Sequence, residues 1–437
     1  MKWLLDYLGM SRKQFGIFLV ITLSTCIYWF SSIKSVIYEP FRQALGVSNA
    51  QLGFLLGLIG FVQIFGYALL GWLQDLLPIR KLIAVDLWGY GIFALILGLV
   101  PHLPYWFLIL AFAAFGFFGD AIYWPTIQKS TKGLATERTQ AAAFSTQECI
   151  RSAIGLVLNA CTLGLFTLGG SHVFDARIPM CAYPVCMMLF SFVVLRFIPK
   201  DFLHEQAGAA KGKARKSNGA AMVLQAMKLP IVWTTGFGAA ATYLIYVAAN
   251  TYFLPFVQAS FKLSDAAAGL FGIVNSGLMG LIAAALSGVL ATKKFKTTPQ
   301  WMALLYIIVF AISLLVIITP RSPAWMIPVV VLCCLVTFVC VALRAVYYAP
   351  IGEYGVDPGI SATAMSIASF IGYCPSFFAY MLFGAIIDHF ITQKAYNLIF
   401  GMLAAFSLLG ILVCLIGNRV ILRKRFAQPQ QEPAARA

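Results

Sequence analysis

Twelve times along its 437 residues this chain runs apolar for about 20 residues, the length an α-helix needs to cross the hydrocarbon core of a bilayer. Backbone amides cannot be left unpaired in hydrocarbon, so each such run must fold as a helix. The runs cover approximately 15–38, 51–73, 82–100, 105–128, 139–168, 180–197, 231–257, 266–291, 299–319, 325–350, 361–387 and 396–418, with charged or Pro/Gly-rich breaks between them. With 61% hydrophobic and 11% charged residues, the chain carries far less charge than the roughly 25% of a soluble domain. The first run follows Lys2, Arg12 and Lys13 and lacks a small-residue cleavage site, so it reads as a spanning helix rather than a signal peptide. The expected fold class is all-α and polytopic, with twelve transmembrane helices in two six-helix pseudo-repeated halves.

The basic residues test this count. Of the 31 Lys and Arg, 23 fall in breaks that lie on the side of the N-terminus, five (Arg42, Arg177, Lys262, Arg321, Lys394) fall opposite, and Lys34, Arg151 and Arg344 lie inside apolar runs. Adding or dropping one helix midway would destroy this asymmetry, and positive loops remain cytoplasmic, so both termini are expected inside a bacterial inner membrane. The same distribution accounts for the net charge of +16 without nucleic acid. The ten cysteines show no C-x-x-C or Cys/His ligand spacing and read as small packing residues; no metal and no cofactor is expected.

The division that follows is 1–198 for the N-terminal half, 199–229 for a basic cytoplasmic linker containing Lys211, Lys213, Arg215 and Lys216, 230–418 for the C-terminal half, and 419–437 for a disordered tail. Parallel features recur in the halves. The first helix of each leads to a proline (Pro40, Pro255), and a basic break follows each second helix (78–81, 293–296). Such repeats suggest a transporter with its site between the halves near the midplane.

Charges inside the runs mark the site, because a charge near the bilayer centre costs roughly 2.5–3.5 kcal/mol on insertion scales and needs a partner or a wet cavity. Glu148 and Arg151, at i and i+3 of the fifth run, can touch on one helix face. They read either as a self-neutralised structural pair or as an anion site, in which Arg151 grips the substrate and Glu148 orients it or carries a proton. Asp120 in the fourth run, one turn before Tyr123 and Trp124, is a proton-coupling residue or a structural partner of Arg151. If Lys34 and Arg344 point inward rather than toward headgroups, the cavity is cationic and its solute anionic. Tyr28, Trp29, Tyr243, Tyr246, Asn250, Tyr252 and Tyr347 are further candidates for its walls. No Walker loop or nucleophile elbow is present, which argues against an enzyme and against ATP-driven transport.

The segment Gly71-Trp72-Leu73-Gln74-Asp75-Leu76-Leu77-Pro78-Ile79-Arg80-Lys81 resembles the G-x-L-x-D-R-x-G-R-R signature of the major facilitator superfamily, with the Gly, Leu, Asp and a basic pair present, Leu76 in place of the Arg and no second Gly. That resemblance implies a cytoplasmic latch and casts Asp75 and Arg80 as gating residues. Trp124 with Lys129, Glu148-x-x-Arg151, Arg344-x-x-Tyr347, Glu353 and Ile371-Gly372-Tyr373-x-Pro375 are similar to the YihN-like inner-membrane permease branch. The chain departs from it at Ser152, where a Gly is expected, and at Ser376, where an acid is expected. The branch favours a cation at the position of Lys34, and a more distant similarity is to the organophosphate antiporters and their sugar-phosphate sensor relatives.

The function expected is secondary active transport of a small organic anion by alternating access, driven by a gradient of protons or of a solute, by a monomeric protein in the lipid bilayer. The substrate-binding residues expected are Lys34, Tyr123, Trp124, Glu148, Arg151, Tyr243, Asn250, Arg344 and Tyr347, with Asp120 and Glu148 for proton coupling. The alternatives are a transporter-like sensor of an anionic ligand and an efflux pump for amphipathic drugs, the latter needing fewer fixed cations.

Overall fold

The structure, a computed structural model, describes residues 2–70, 73, 77–135, 139–170, 173–200, 202, 219–283, 295 and 297–427. Among the described residues there is no strand, and twelve helices are long and apolar enough to cross a membrane. They are α1 (Arg12–Ser35), α2 (Asn49–Gly66), α3 (Ile79–Leu99), α4 (Tyr105–Leu134), α5 (Ala142–Leu168), α6 (Phe174–Phe197), α7 (Pro230–Phe261), α8 (Asp265–Ala283), α9 (Thr298–Ile318), α10 (Pro323–Tyr354), α11 (Thr363–His389) and α12 (Thr392–Lys424). Each matches one apolar run of the sequence.

Several of these helices depart from α geometry in mid-span. α1 tightens to 3-10 turns at Ser24–Tyr28 and again at Ile33–Ser35, and α7 widens to a π turn at Ala248–Tyr252. These are the first helices of the two halves. Two more π stretches occur in α4 (Gly116–Tyr123) and α8 (Ile273–Leu278). Such insertions free backbone groups and turn side chains off the regular helix face, which is why they concentrate at functional sites.

The halves meet along α2 and α11. A Cβ on Gly53 would collide with the Tyr380 carbonyl, one on Gly57 with the Phe377 carbonyl, one on Gly60 with Ser376, and one on Gly384 with the Asn49 carbonyl. The backbones therefore approach as only glycine allows. The seam is finished on the side opposite the termini by Asp388 of α11, whose Oδ1 accepts from Asn49 N (3.2 Å) and Asn49 Nδ2 (2.8 Å) and whose Oδ2 accepts from Ala50 N (2.7 Å). A carboxylate of one half thus caps the first helix turn of the other. Within the C-terminal half, Tyr252 of α7 holds α11 in place by donating to the Tyr380 carbonyl at 2.5 Å.

Other glycines divide. Gly116, Gly119, Gly236, Gly269, Gly272 and Gly277 have neighbours that a Cβ would crowd, the Ser35 carbonyl of α1 against Gly272 among them. At Gly238 the nearest atom would be 3.8 Å away and at Gly280 nothing lies within 4 Å, so no helix crosses closely there.

Two segments expected to be unstructured are helical. Residues 219–227 of the linker form a helix (Gly219–Met227), because Ala226 buries fully against Ile231, Val232, Ala364, Ala368 and Ile421. The helix that contains α12 runs on to Ala427, past the expected end at 418, where Lys424 Nζ donates to the Gly355 carbonyl (2.9 Å) and lies 4.0 Å from the Tyr354 ring. The basic residues at 211–216 lie outside the described residues, as does 428–437.

The cations expected on the minority side are largely held by the protein itself. Arg177 donates to the Gly98 and Ala44 carbonyls, Arg321 to the Val316 and Thr319 carbonyls, and Arg42 to Glu39 and the Val47 carbonyl. Burial pushes the Glu39 carboxyl up, but hydrogen bonds from Arg42 and Gln43 outweigh it and hold the group below the usual carboxylate range.

Candidate functional site

A cavity of about 310 Å³ lies between the halves, walled by α1 and α5 on one side and by α7 and α8 on the other. Its walls are polar where a lipid-facing surface would be apolar. Thr25 and Ser35 come from the 3-10 turns of α1, Ser31 and Ser32 from the short α turn between them, Ser152 and Asn159 from α5, Asn250 from the π turn of α7, and Ser276 from that of α8. The departures from α geometry thus present hydroxyls and amides to one space.

Two cations reach it. Lys34 is only 8% exposed, lines the cavity and donates to the Ser31 carbonyl at 2.8 Å. Among the described residues no carboxylate lies within ion-pair distance of its ammonium, although Asp120 of α4 is within Coulombic range. Lys34 therefore does not snorkel toward headgroups; the second 3-10 turn of α1 turns it into the protein. Arg151 also lines the cavity. Its Nε (3.1 Å) and Nη2 (2.5 Å) both donate to one oxygen of Glu148, and its guanidinium carbon sits 5.4 Å from the centre of the Trp124 ring. Arg151 keeps 36% of its side-chain surface open, so the ion pair leaves it accessible to a ligand.

Arg344 stands one layer back. Its guanidinium carbon lies 3.9 Å from the centre of the Tyr246 ring and 5.7 Å from that of Tyr243, and Tyr246 is the residue that faces the cavity. Tyr243 packs edge-on against Tyr373 (4.9 Å between ring centres), whose hydroxyl is 3.4 Å from that of Tyr347. The expectation that Arg344 itself enters the cavity is corrected: cation–π contact with the tyrosine faces holds it behind them. It remains within Coulombic range of Arg151.

The other expected residues divide as follows. Asn250 lines the cavity, while Glu148 and Trp124 hold Arg151 from behind. Tyr123, in the π stretch of α4, is fully buried and bonds Ser24 of α1 at 2.8 Å, so it does not reach the cavity. Asp120 sits behind Lys34, within range of Tyr90, which bonds Ser31. Arg80 stays within its own half, donating to the Leu195 carbonyl at 3.4 Å, and Asp75 lies outside the described residues.

Three residues went unnoticed in the sequence. Asp86 in α3 is 1% exposed, and among the described residues neither of its oxygens has a hydrogen-bond partner. An acid in an apolar run was its signal. Asn159 stands at i+8 from Arg151 on the same face of α5 and is 5% exposed. Asp388 offered only its place at the end of a run.

Two six-helix halves around a central polar cavity define the class as membrane transporters. The Major Facilitator Superfamily profile matches residues 17–379, and the chain belongs to that family. It is 27% identical over 433 residues to the inner membrane protein YihN of Escherichia coli (strain K12), covering 98% of this chain and 99% of that one. Over 364 residues it is 22% identical to the inner membrane protein YqcE of the same organism, covering 83% and 84%. Among solved structures, the D-xylose-proton symporter superposes with a TM-score of 0.72 at 16% identity, covering 92% of this chain and 97% of that one. A bacterial homologue of the human lysosomal transporter Spinster, inward-facing and unoccupied, superposes with a TM-score of 0.70 at 14% identity, covering 97% and 100%. The protein is a multi-pass secondary transporter of small molecules and not an enzyme.

Proposed function

We propose that the protein moves a small organic anion across a bacterial inner membrane by alternating access. The observation that carries this is the pair of cations, Lys34 and Arg151, on one inter-half cavity of about 310 Å³ with no carboxylate paired to Lys34 among the described residues. Two cations lining one polar cavity attract an anion. The polar wall argues against an amphipathic drug, for which an apolar site would be needed.

The relatives' printed names support the inner membrane, and the basic loops support termini on the cytoplasmic side. In that orientation the Asp388 seam closes the periplasmic side, and the cavity serves the cytoplasm. Asp120, behind Lys34, is the residue we assign to proton coupling; Glu148 would take its turn when an anion replaces it on Arg151. The gating role of Asp75 and Arg80 belongs to the opposite, outward-open state, and the protein acts as a monomer.

The test is a thermal-shift screen of sugar acids, organic phosphates, sulfonates and carboxylates on the detergent-purified full chain, with Arg151→Ala and Lys34→Ala beside the wild type. A ligand that binds only the folded wild type raises its Tm by mass action. Loss of a charge-assisted contact worth about 1.5–3 kcal/mol would weaken binding roughly 10- to 150-fold. Equal stabilisation of both variants by the same anion would refute the site.

A further inference from the structure

We infer that Asn159 is a specificity residue whose amide oxygen receives a hydroxyl of the substrate, so that the transported anion is a hydroxylated one. This rests on the anionic reading of the site. Asn159 Nδ2 donates to Ser276 Oγ at 3.0 Å, joining the two halves at the cavity wall. The orientation of the amide follows from chemistry. Ser276 has one hydroxyl proton and spends it on the Gly272 carbonyl at 2.7 Å, so its oxygen can only accept, and the amide nitrogen must be what faces it.

The Asn159 oxygen is thereby the atom left over. The residue is 5% exposed, and among the described residues no donor reaches its Oδ1. A buried acceptor with no partner is costly, and the residue that carries it lines the space a ligand would fill. Its complement is an O–H or N–H. A carboxylate, phosphate dianion or sulfonate offers lone pairs alone, and a cationic N–H would meet Lys34 and Arg151 on the same walls. A neutral hydroxyl is what fits.

The face of α5 sets the layout. Arg151, Gly155 and Asn159 all line the cavity at successive i+4 positions, so cation and acceptor stand roughly 12 Å apart along the helix axis. Between them, nothing lies within 4 Å of where a Cβ of Gly155 would stand. A ligand can lie along this face with its charged end toward Arg151 and Lys34 and a hydroxyl toward Asn159. Sites built to hold a hydroxyl reject analogues lacking it far more strongly than apolar pockets reject a missing methylene.

The experiment is a binding titration of the full chain in detergent against matched probes: D-gluconate with hexanoate, glycerol 3-phosphate with propyl phosphate, and neutral D-glucose. For at least one pair the hydroxylated acid is expected to bind the wild type at least about tenfold tighter than its deoxy partner. Asn159→Leu should erase that preference by weakening the hydroxylated acid alone. A merely structural role for the Asn159–Ser276 bond would weaken both members of a pair alike, which would overturn the inference. So would hexanoate and propyl phosphate binding as well as their hydroxylated partners, or a preference that survives Asn159→Leu. Gly155→Leu, with open space around its Cβ, should fold and block both members. Tight binding to Gly155→Leu would overturn the layout. Glucose bound alone, and lost in Asn159→Leu, would overturn the anion reading while upholding the hydroxyl acceptor; no binding by any probe would overturn both.

Discussion

Removing the Asp388 carboxylate isolates what holds the halves together on the side away from the termini. Asp388→Ala deletes three acceptor contacts at once, to Asn49 N, Asn49 Nδ2 and Ala50 N, all made across the inter-half seam. Buried, such bonds to a charge would each be worth about 1.5–3 kcal/mol, but these are solvent-exposed and exchange with water, so a few tenths each is the defensible figure. Favourable placement at the first turn of α2 adds about 0.3–1 kcal/mol. The sum, roughly 1–2 kcal/mol, is a 5- to 30-fold shift away from the closed seam. Since the bonds exist only while the halves are closed here, the loss falls on this state and not on the fold of either half. Hydrogen exchange is the assay: amides of 49–56 and 380–388 should exchange 5- to 30-fold faster in Asp388→Ala, with α3 and α9 unchanged. Asp388→Asn, keeping one oxygen, should fall between. Uniform acceleration across all helices, or none at the seam, would refute the latch.

Further expectations follow from neighbouring features. Gly53→Ala places a methyl against the Tyr380 carbonyl and should disfavour the closed seam by about 1–3 kcal/mol, whereas Gly238→Ala, with nothing nearer than 3.8 Å, should leave exchange at the seam unchanged and melting unchanged or slightly raised. The Glu39 carboxyl, held below its usual range, contributes stability that is present above the unfolded value of about 4.3 and lost as pH falls through the lower folded value. Melting curves from pH 6 to 3 should therefore lose up to about 1 kcal/mol that Glu39→Gln does not lose. Asp86→Leu replaces a buried carboxyl that has no hydrogen-bond partner among the described residues by a side chain with the same number of heavy atoms, and should raise Tm or leave it unchanged. Asp120→Asn should abolish proton-driven accumulation in proteoliposomes while sparing counterflow; retained accumulation would remove Asp120 from the coupling route.

The spanning helices were legible because hydrocarbon leaves few solutions: twelve apolar runs became twelve helices, and the charge asymmetry excluded an odd count. The site was legible by residue type more than by direction. Lys34 lies at the end of an apolar run, where a regular helix admits either an inward or a snorkelling side chain, and a 3-10 turn that no local propensity announces decides the matter. Tyr123 does face α1, but Ser24 takes its hydroxyl and burial seals it from the cavity, which no local pattern announces. Arg344 was expected as a cavity cation, but whether Tyr243 and Tyr246, from the distant helix α7, would cover it is a tertiary fact. Helical packing of 219–227 was hidden because its apolar residues looked too few for a core of their own; they join the core of α7, α11 and α12.

The π turns of α7 and α8 also carry a consequence for how this chain can change. A π turn is an α-helix with one residue too many, so deleting a single residue from Ala248–Tyr252 or Ile273–Leu278 would restore regular hydrogen bonding and make the local helix more stable. The same deletion would rotate everything beyond it by about 100° relative to what precedes it. Asn250 or Ser276 would then swing off the cavity wall without any substitution of either. Length, rather than residue type, is what these two segments must preserve: a one-residue deletion in α7 would also turn Phe253, Phe256 and Val257 off the core, so the protein should melt earlier and bind nothing.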